Sequence, residues 1–305
     1  MSGLMQGKRG LVMGVANDHS IAWGIAKKLA DEGAELAFTY QGDAFGKRVR
    51  PLADSVNSKL LLPCDVEDVA SVDAVFERLA AEWGTIDFLV HAIGFSDKNE
   101  LKGRYADTTR DNFARTMVIS CFSFTEIVKR AAAIMPNGGS VITLTYGGSN
   151  RVMPNYNVMG VAKAALESSV RYLAMDFGLD GVRVNAISAG VVRTLAGSGV
   201  SDARLMYNFQ RRNSPLGRTV STDEIGGTAV YLLSDLSSGV TGEVHFVDSG
   251  YNIVSMPRLD ELKVQESRES QSGRGDEPAG RRSTDEPAAV SRNAEVPVAR
   301  RNAAE

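Results

Sequence analysis

Tyr156 and Lys163, seven positions apart in this 305-residue chain, form the strongest candidate pair for acid–base or oxyanion chemistry. On a helix that advances about 100° per residue, the two side chains project from one face and are offset by about 10 Å along the axis. A phenol can donate a hydrogen bond or a proton to a developing oxyanion, and a nearby ammonium lowers the cost of negative charge. An inert helix, with the tyrosine packed and the lysine solvated, fits the spacing as well.

A strand and a helix must position these side chains. The apolar run Ser140–Thr145 predicts a buried strand that delivers a second phenol, Tyr146, to its carboxyl end. Pro154 follows and suits the first turn of a helix, where its missing N–H costs nothing. We therefore expect one helix, beginning at Pro154, to carry both Tyr156 and Lys163.

Residues 1–255 alternate short apolar runs with longer helical patterns. The runs are continuous, which is typical of strands buried on both faces of a parallel sheet. Their order predicts the α/β class: a single Rossmann-type, doubly wound parallel sheet of about seven strands, with helices on both faces. Ligands then bind beyond the carboxyl ends of the strands, at the switch point. The strand candidates are Arg9–Met13, Glu35–Tyr40, Lys59–Pro63, Ile86–His91, Ser140–Thr145, Arg183–Ser188 and Val244–Val247.

The turn after the first strand has the composition of a dinucleotide site. Gly14 permits a tight turn, the next residues offer N–H groups at a helix N-terminus to a pyrophosphate, and Gly24 lets that helix pack close to the sheet. The spacing is not G-x-G-x-x-G, so an ordinary βα turn fits as well. Gln41, at the end of the second strand, can hydrogen-bond the adenosine ribose through either its oxygen or its amide, which favours NADH slightly over NADPH. Asp65–Val66 would hold the adenine edge, and Gly94 would let the backbone pass beneath the cofactor.

Composition excludes several classes of function. The 34 basic and 37 acidic residues give a net charge of −3, which provides no electrostatic footprint for nucleic acid. No stretch of about 20 apolar residues could span a membrane, and the N-terminus lacks the apolar core of a signal peptide. The cysteines form no disulfide framework, and the scattered histidines lack a second ligand at metal spacing. We expect a cytoplasmic protein with no metal site.

The predicted reductase domain spans residues 1–256, and two segments, one beyond it and one within it, differ from the rest of the chain. Residues 257–305 have no aromatic side chain and mix both charges, so they bury too little apolar surface to fold and are predicted to be a disordered tail. Residues 197–215 have few buried-strand signals and are predicted to be a lid over the substrate.

Several motifs occur in one order along the chain. Tyr156 and Lys163 form a Tyr-x6-Lys pair, and Tyr146 lies ten residues before it. Met159 occupies the tyrosine position of the usual Tyr-x3-Lys pair. Further matches are Gly14–Gly24, His91–Phe95, Arg193–Ala196 and Gly242–Gly250. In these motifs residues 4–256 resemble the bacterial enoyl-acyl-carrier-protein reductases, the divergent branch of the short-chain dehydrogenase/reductase superfamily.

The resemblance implies an NADH-dependent reduction of a trans-2-enoyl thioester in fatty-acid synthesis. Hydride would pass from the nicotinamide to C3, the enolate oxygen would accept a hydrogen bond from Tyr156, and C2 would be protonated afterwards. The implied catalytic residues are Tyr146, Tyr156 and Lys163, of which Lys163 holds the nicotinamide ribose. Ser96, Tyr146 and Tyr156 would contact the substrate. The residues implied for NAD binding are Gly14, Ser20, Ile21, Gln41, Asp65, Val66, Ile93, Lys163, Val192, Arg193, Thr194, Leu195 and Ala196.

The resemblance also implies partners. An acyl carrier protein would present the enoyl thioester, and four copies of the chain would form a homotetramer. Arg204, Arg211 and Arg212 lie in the predicted lid, where they are either solvated surface or a cationic patch for the acidic carrier protein.

Two departures from the family pattern bear on the pocket. Val191 stands where the family commonly has proline. Without the fixed φ of proline the loop entering the nicotinamide site is looser, at a cost in stability of under about 1 kcal/mol. Gly147 and Gly148 remove side chains next to Tyr146, and the absence of these side chains lets the loop after Tyr146 move.

Two other functions stay open. One is a short-chain reductase of a 3-oxoacyl thioester or ketone, against which Met159 argues. The other is a catalytically silent dinucleotide-binding paralogue, against which the retained tyrosine–lysine pair argues.

Overall fold

One parallel sheet forms the centre of the fold. The computed structural model describes residues 3–194, 202–260 and 262–264, and across these residues seven strands pair in parallel. The strands are β1 (Arg9–Met13), β2 (Glu35–Tyr40), β3 (Leu60–Pro63), β4 (Phe88–His91), β5 (Gly139–Thr145), β6 (Val182–Ala189) and β7 (Val244–Val247). Their order is β3-β2-β1-β4-β5-β6-β7, so the direction of winding reverses between β1 and β4, where Met13 pairs with His91.

Helices cover both faces of this sheet. On one face lie α1 (Ile21–Asp31), α2 (Gly42–Ser55) and α8 (Thr222–Leu233); on the other lie α3 (Val69–Trp83), α5 (Ser123–Ala133) and α6 (Asn157–Phe177). A π-helical turn, Val118–Phe122, joins α4 (Arg110–Met117) to α5. A further helix, α7 (Ala203–Asn213), lies within the predicted lid.

The sequence explains these elements locally. All four residues of β4 are buried, as expected for a strand covered by helices on both sides. Polar side chains fix where helices begin: Asp68 accepts the Ala70 N–H before α3, and Ser221 and Glu224 form a reciprocal capping box before α8. Two apolar cores, one on each face of the sheet, then hold the helices in place.

The doubly wound parallel sheet confirms the predicted fold class. The strand bounds differ from the predicted ones by at most two residues; β4, for example, begins at Phe88 rather than Ile86. The chain separates into a unit of Met1–Arg258 and a second of Leu259–Glu305, and most of the second lies outside the described residues. The disordered tail therefore stays a prediction. Within the described ranges, no helix is long and apolar enough to cross a bilayer.

Two local predictions are wrong. α6 begins at Asn157 rather than at Pro154, because Asn155 has a φ of 57°, in the left-handed region, and interrupts the turn. Gly24 packs α1 against α8 and not against the sheet, since a Cβ at Gly24 would lie 2.5 Å from the Cβ of Thr222.

Candidate active site

Two phenols meet where β5 ends and α6 begins. Tyr146 directly follows β5, and Tyr156 is the capping residue directly before α6. Their rings make an edge contact, with centroids 5.2 Å apart and planes at 74°. The short turn Gly147–Ser149 begins the loop that connects them. Residue spacing predicted neither this loop path nor the ring contact.

Gly148 makes this arrangement possible. A Cβ at Gly148 would lie 2.4 Å from Cδ1 of the Tyr156 ring, and a Cβ at Gly160 would lie 2.7 Å from the carbonyl oxygen of Gly148. At Gly147, by contrast, a Cβ would meet only the Met153 Cε, at an ordinary 3.7 Å. Gly148 therefore packs the loop against the Tyr156 ring, contrary to the expectation that it lets the loop move.

Lys163 is buried between two strand ends. Its side chain is 8% exposed, and its Nζ donates a hydrogen bond to the carbonyl oxygen of Leu144 on β5 at 2.8 Å. A Cβ at Gly94, in the loop after β4, would lie 3.8 Å from the same Nζ. This placement excludes a solvated surface lysine.

Burial sets the protonation of these groups. It raises the pKa of Tyr156 well above its usual range, and it raises the pKa of Tyr146 to about 12 although a hydrogen bond from Gln210 lowers it. Burial lowers the pKa of Lys163 to about 8. At neutral pH the site thus presents two phenolic O–H groups and an ammonium, a combination that can stabilise a developing oxyanion.

The π-helical turn holds the loop after β4. Ser120 donates to the carbonyl oxygen of Phe95 and accepts from the Phe95 N–H, both at 2.9 Å. Turns of this kind are frequent at functional sites. Ser96, expected to contact substrate, has its hydroxyl 2.9 Å from that of Thr116 and 3.4 Å from Oδ1 of Asn112, so it contacts α4; its substrate role stays a prediction.

His91, the last residue of β4, is a neutral buried histidine. Its Nε2 lies 3.0 Å from the Ser123 hydroxyl, which donates its own proton to the carbonyl oxygen of Ile119. Its Nδ1 lies 3.1 Å from the Thr143 hydroxyl, which in turn donates to the carbonyl oxygen of His91. Burial, together with the nearby Lys163 charge, lowers the pKa of His91 to about 3.

The other end of the candidate site lies at the switch point. Gly14 has a φ of +96°, and a Cβ there would lie 2.1 Å from the carbonyl oxygen of Ala92, so only glycine fits. Ser20 shapes the loop, because its hydroxyl accepts from the N–H groups of Ala16 and Asn17 at 3.0 and 3.1 Å. The N–H of Ile21 precedes the first intrahelical hydrogen bond of α1, so it belongs to the groups available to an anion.

The predicted adenosine residues lie together at neighbouring strand ends. Gln41 follows β2 and donates through Nε2 to Oδ2 of Asp65, after β3, at 3.1 Å. Val66 is buried beside Asp65. Ile93, after β4, is half-buried against the core.

The residues after β6 contact α7. The Val191 N–H donates to Oε1 of Gln210 at 3.4 Å, and the Arg193 guanidinium lies 4.5 Å from the ring centroid of Tyr207. Val192 and Thr194 are half-buried in the same segment. Leu195 and Ala196, the last two residues predicted to bind NAD, lie outside the described residues.

Sequence reasoning missed two residues that shape the site. Gln210 is 5% exposed and donates through Nε2 to the Tyr146 hydroxyl oxygen at 2.8 Å. Ser120 ties down the loop after β4. No motif marks either residue; the only signal for Gln210 was its place in the predicted lid.

This geometry fits a dinucleotide. At Gly14 the loop passes too close to Ala92 for any side chain, and at Gly94 a Cβ would meet only Lys163 Nζ, at 3.8 Å, and the Ser120 hydroxyl, at 3.9 Å. The N-terminus of α1, at Ile21, ends the loop that begins at Gly14, and a helix N-terminus favours a pyrophosphate. Over the described ranges no three His, Cys, Asp or Glu side chains are grouped as metal ligands.

Comparisons with known proteins identify the family of this chain. Residues 14–252 match the family model described as Enoyl-(Acyl carrier protein) reductase. The chain is 73% identical over 267 residues to Enoyl-[acyl-carrier-protein] reductase [NADH] 2 of Rhizobium meliloti (strain 1021), covering 88% of this chain and 100% of that one.

Solved structures give the same family. FabI from Candidatus Liberibacter asiaticus aligns with a TM-score of 0.83 at 62% identity, covering 85% of this chain and all of that one. The enoyl-(acyl-carrier-protein) reductase from Anaplasma phagocytophilum, solved in complex with NAD, aligns with a TM-score of 0.82 at 57% identity, covering 85% of this chain and 99% of that one. The chain belongs to the enoyl-(acyl carrier protein) reductase family.

Proposed function

We propose that this chain reduces the trans-2 double bond of enoyl-acyl-carrier-protein thioesters with NADH, in the elongation cycle of bacterial fatty-acid synthesis. The observation that carries the proposal is the contact between the Tyr146 and Tyr156 rings, together with the burial of Lys163 on the same helix and Met159 at the position of the usual short-chain tyrosine. This arrangement suits an oxyanion that develops on a thioester oxygen rather than an ordinary ketone site.

Tyr156 supplies the stabilisation in this proposal. Its phenol stays protonated at neutral pH, so it donates a hydrogen bond to the enolate oxygen as negative charge develops there. Tyr146 lines the pocket with a second protonated phenol. C2 of the thioester takes up a proton afterwards, which completes the addition of two hydrogens across the double bond.

Lys163 and the strand-end loops would hold NADH, which supplies the hydride when bound. Lys163 lies between β4 and β5, where its ammonium can bind the nicotinamide ribose hydroxyls. Gly14, Ser20 and Ile21 would shape the pyrophosphate site, and Gln41 with Asp65 would bind the adenosine end. The remaining proposed contacts are Val66, Ile93, Val192, Arg193, Thr194, Leu195 and Ala196.

The partners follow from the same proposal. An acyl carrier protein delivers the substrate, and the exposed Arg204 on α7 provides positive charge for it. A homotetramer is supported by apolar side chains on α6 that are largely solvent-exposed in the single chain: Tyr172 at 73% and Met175 at 82%. We place the enzyme in the cytoplasm, where NADH and the carrier protein are both supplied.

A substrate comparison tests the proposal. The purified chain is given NADH with a trans-2-enoyl thioester, and separately with the matching 3-oxoacyl thioester, while the loss of NADH absorbance is followed. NADPH replaces NADH in a matched pair of reactions. Oxidation of NADH with the enoyl substrate alone is the expected result. Oxidation only with the 3-oxoacyl substrate would assign the site to another short-chain reductase, and no oxidation despite NADH binding would favour a silent paralogue.

A further inference from the structure

Gln210 connects the two halves of the candidate site. It is a buried amide on α7 whose two ends are both used: Oε1 accepts the Val191 N–H at 3.4 Å, and Nε2 lies 2.8 Å from the Tyr146 hydroxyl oxygen. Val191 directly precedes Val192, the first residue of the segment proposed to hold NADH, and Tyr146 belongs to the proposed catalytic set. The Gln210 side chain therefore contacts both the loop after β6 and the Tyr146 phenol.

The Val191 contact fixes the orientation of the Gln210 amide. A backbone N–H can only donate, so the end of the carboxamide that faces Val191 must be the oxygen. The NH₂ end then faces Tyr146 and donates, which makes the phenol oxygen an acceptor. The phenol's own proton is not used in this hydrogen bond. A proline at position 191, the residue common in the resembled family, has no N–H and could not orient the amide in this way.

We propose that Gln210 is a positioning residue of the reduction: oriented by the Val191 N–H, it holds the Tyr146 phenol by its oxygen and leaves the phenolic proton free for the substrate. The assignment rests on the proposed function, because it takes Tyr146 to face the substrate. It adds a residue that acts through Tyr146 without touching the reacting atoms.

The surroundings of Gln210 support a fixed position. Its helix makes a second contact with the same loop, since Tyr207, three residues earlier, lies under the Arg193 guanidinium at 4.5 Å. Tyr207 is itself held by a hydrogen bond from Thr219 at 2.9 Å. The Gln210 hydrogen bond also opposes the rise in the pKa of Tyr146 that burial causes.

A double-mutant cycle with Tyr146→Phe tests the proposal. Gln210→Glu keeps an acceptor for the Val191 N–H but accepts from the phenol instead of donating to it, so it ties up the proton. Gln210→Met removes both hydrogen bonds and adds no charge. Each variant is made alone and together with Tyr146→Phe, and kcat is measured with a coenzyme A-linked enoyl thioester. Asn208→Asp, on the same helix, is the matched control for an amide-to-carboxylate change. Thermal unfolding and the Kd for NADH report on folding.

We expect each Gln210 variant to lower kcat about tenfold with an intact Tyr146 and to lower it no further in the Tyr146→Phe background. For Gln210→Glu the Kd for NADH should stay within about twofold of the wild type, since the Val191 hydrogen bond is kept. Equal losses in both backgrounds would overturn the proposal, because Gln210 would then act without Tyr146. An unchanged kcat in folded Gln210 variants, or a fully active Tyr146→Phe, would also overturn it. Wild-type protein that does not reduce the enoyl thioester would instead refute the proposed function.

Discussion

Replacing Gly148 by alanine should displace the Tyr156 ring and disable turnover. The added Cβ would lie 2.4 Å from Cδ1 and 2.8 Å from Cε1 of that ring, whereas an ordinary contact needs about 3.4 Å or more. The ring, or the loop that carries Gly148, must therefore move by about 1 Å. A misplacement of that size can lower a rate by about 10²-fold, and the strained packing costs about 1–3 kcal/mol of stability.

Gly147→Ala is the matched control, because its Cβ would meet only the Met153 Cε at 3.7 Å. Both variants are assayed for kcat with an enoyl thioester, for the Kd of NADH and for the unfolding midpoint. We expect Gly148→Ala to lose about 10²-fold in kcat with NADH binding nearly intact, and Gly147→Ala to stay within about threefold of the wild type. A folded Gly148→Ala with the kcat of its control would refute the packing role assigned to Gly148 and the placement of Tyr156 at the reacting atoms.

Three further outcomes are expected. Because burial lowers the pKa of Lys163 from 10.5 to about 8, the folded chain binds fewer protons than the unfolded one between those values, and the burial penalty is fully present below pH 8. Lys163→Met should therefore raise the free energy of unfolding at pH 7 by ~1–3 kcal/mol while weakening NADH binding. Denaturant titrations measure the first effect and NADH titrations the second. A variant less stable than the wild type would contradict the burial penalty. Arg204→Glu should raise KM about tenfold for carrier-linked substrate but little for coenzyme A thioesters. Equal increases in KM for both substrates would refute a role of Arg204 in binding the acyl carrier protein. Ser120→Ala should lower stability by ~1–2 kcal/mol and raise KM for NADH severalfold, since it frees the Phe95 loop. An unchanged KM would leave Ser120 with a structural role only.

The sheet could be predicted from the sequence because its signal is local. Strands buried on both faces are continuously apolar, which explains why β1 and β2 have the predicted bounds. β7 also has the predicted bounds, although it is an edge strand whose residues are half-buried or exposed. The switch point follows from the order of the elements. The tyrosine–lysine pair was also visible, since its residues are close in the chain. Lys163 is buried between strand ends, and its role in cofactor binding stays a prediction.

The details of the site could not be predicted because they depend on the backbone path and on contacts distant in sequence. The left-handed conformation of Asn155, which delays the start of α6, has no signal beyond the tolerance of asparagine for it. Gly24 was paired with the wrong surface, because its partner Thr222 is nearly 200 residues away. Gln210 reaches Tyr146 across 64 positions, and nothing in its neighbours distinguishes it from a surface glutamine.

The carbon that receives the hydride from NADH directly tests the proposal that Tyr156 stabilises an enolate oxygen of the thioester. The wild-type chain is given a trans-2-enoyl thioester and NADH carrying deuterium at the transferred position, in ordinary water, and the saturated product is analysed by NMR. We expect deuterium at C3 and a solvent-derived hydrogen at C2, because negative charge must develop on the thioester oxygen that Tyr156 is proposed to bind. Deuterium at C2 would place the charge elsewhere and would contradict the role given to Tyr156.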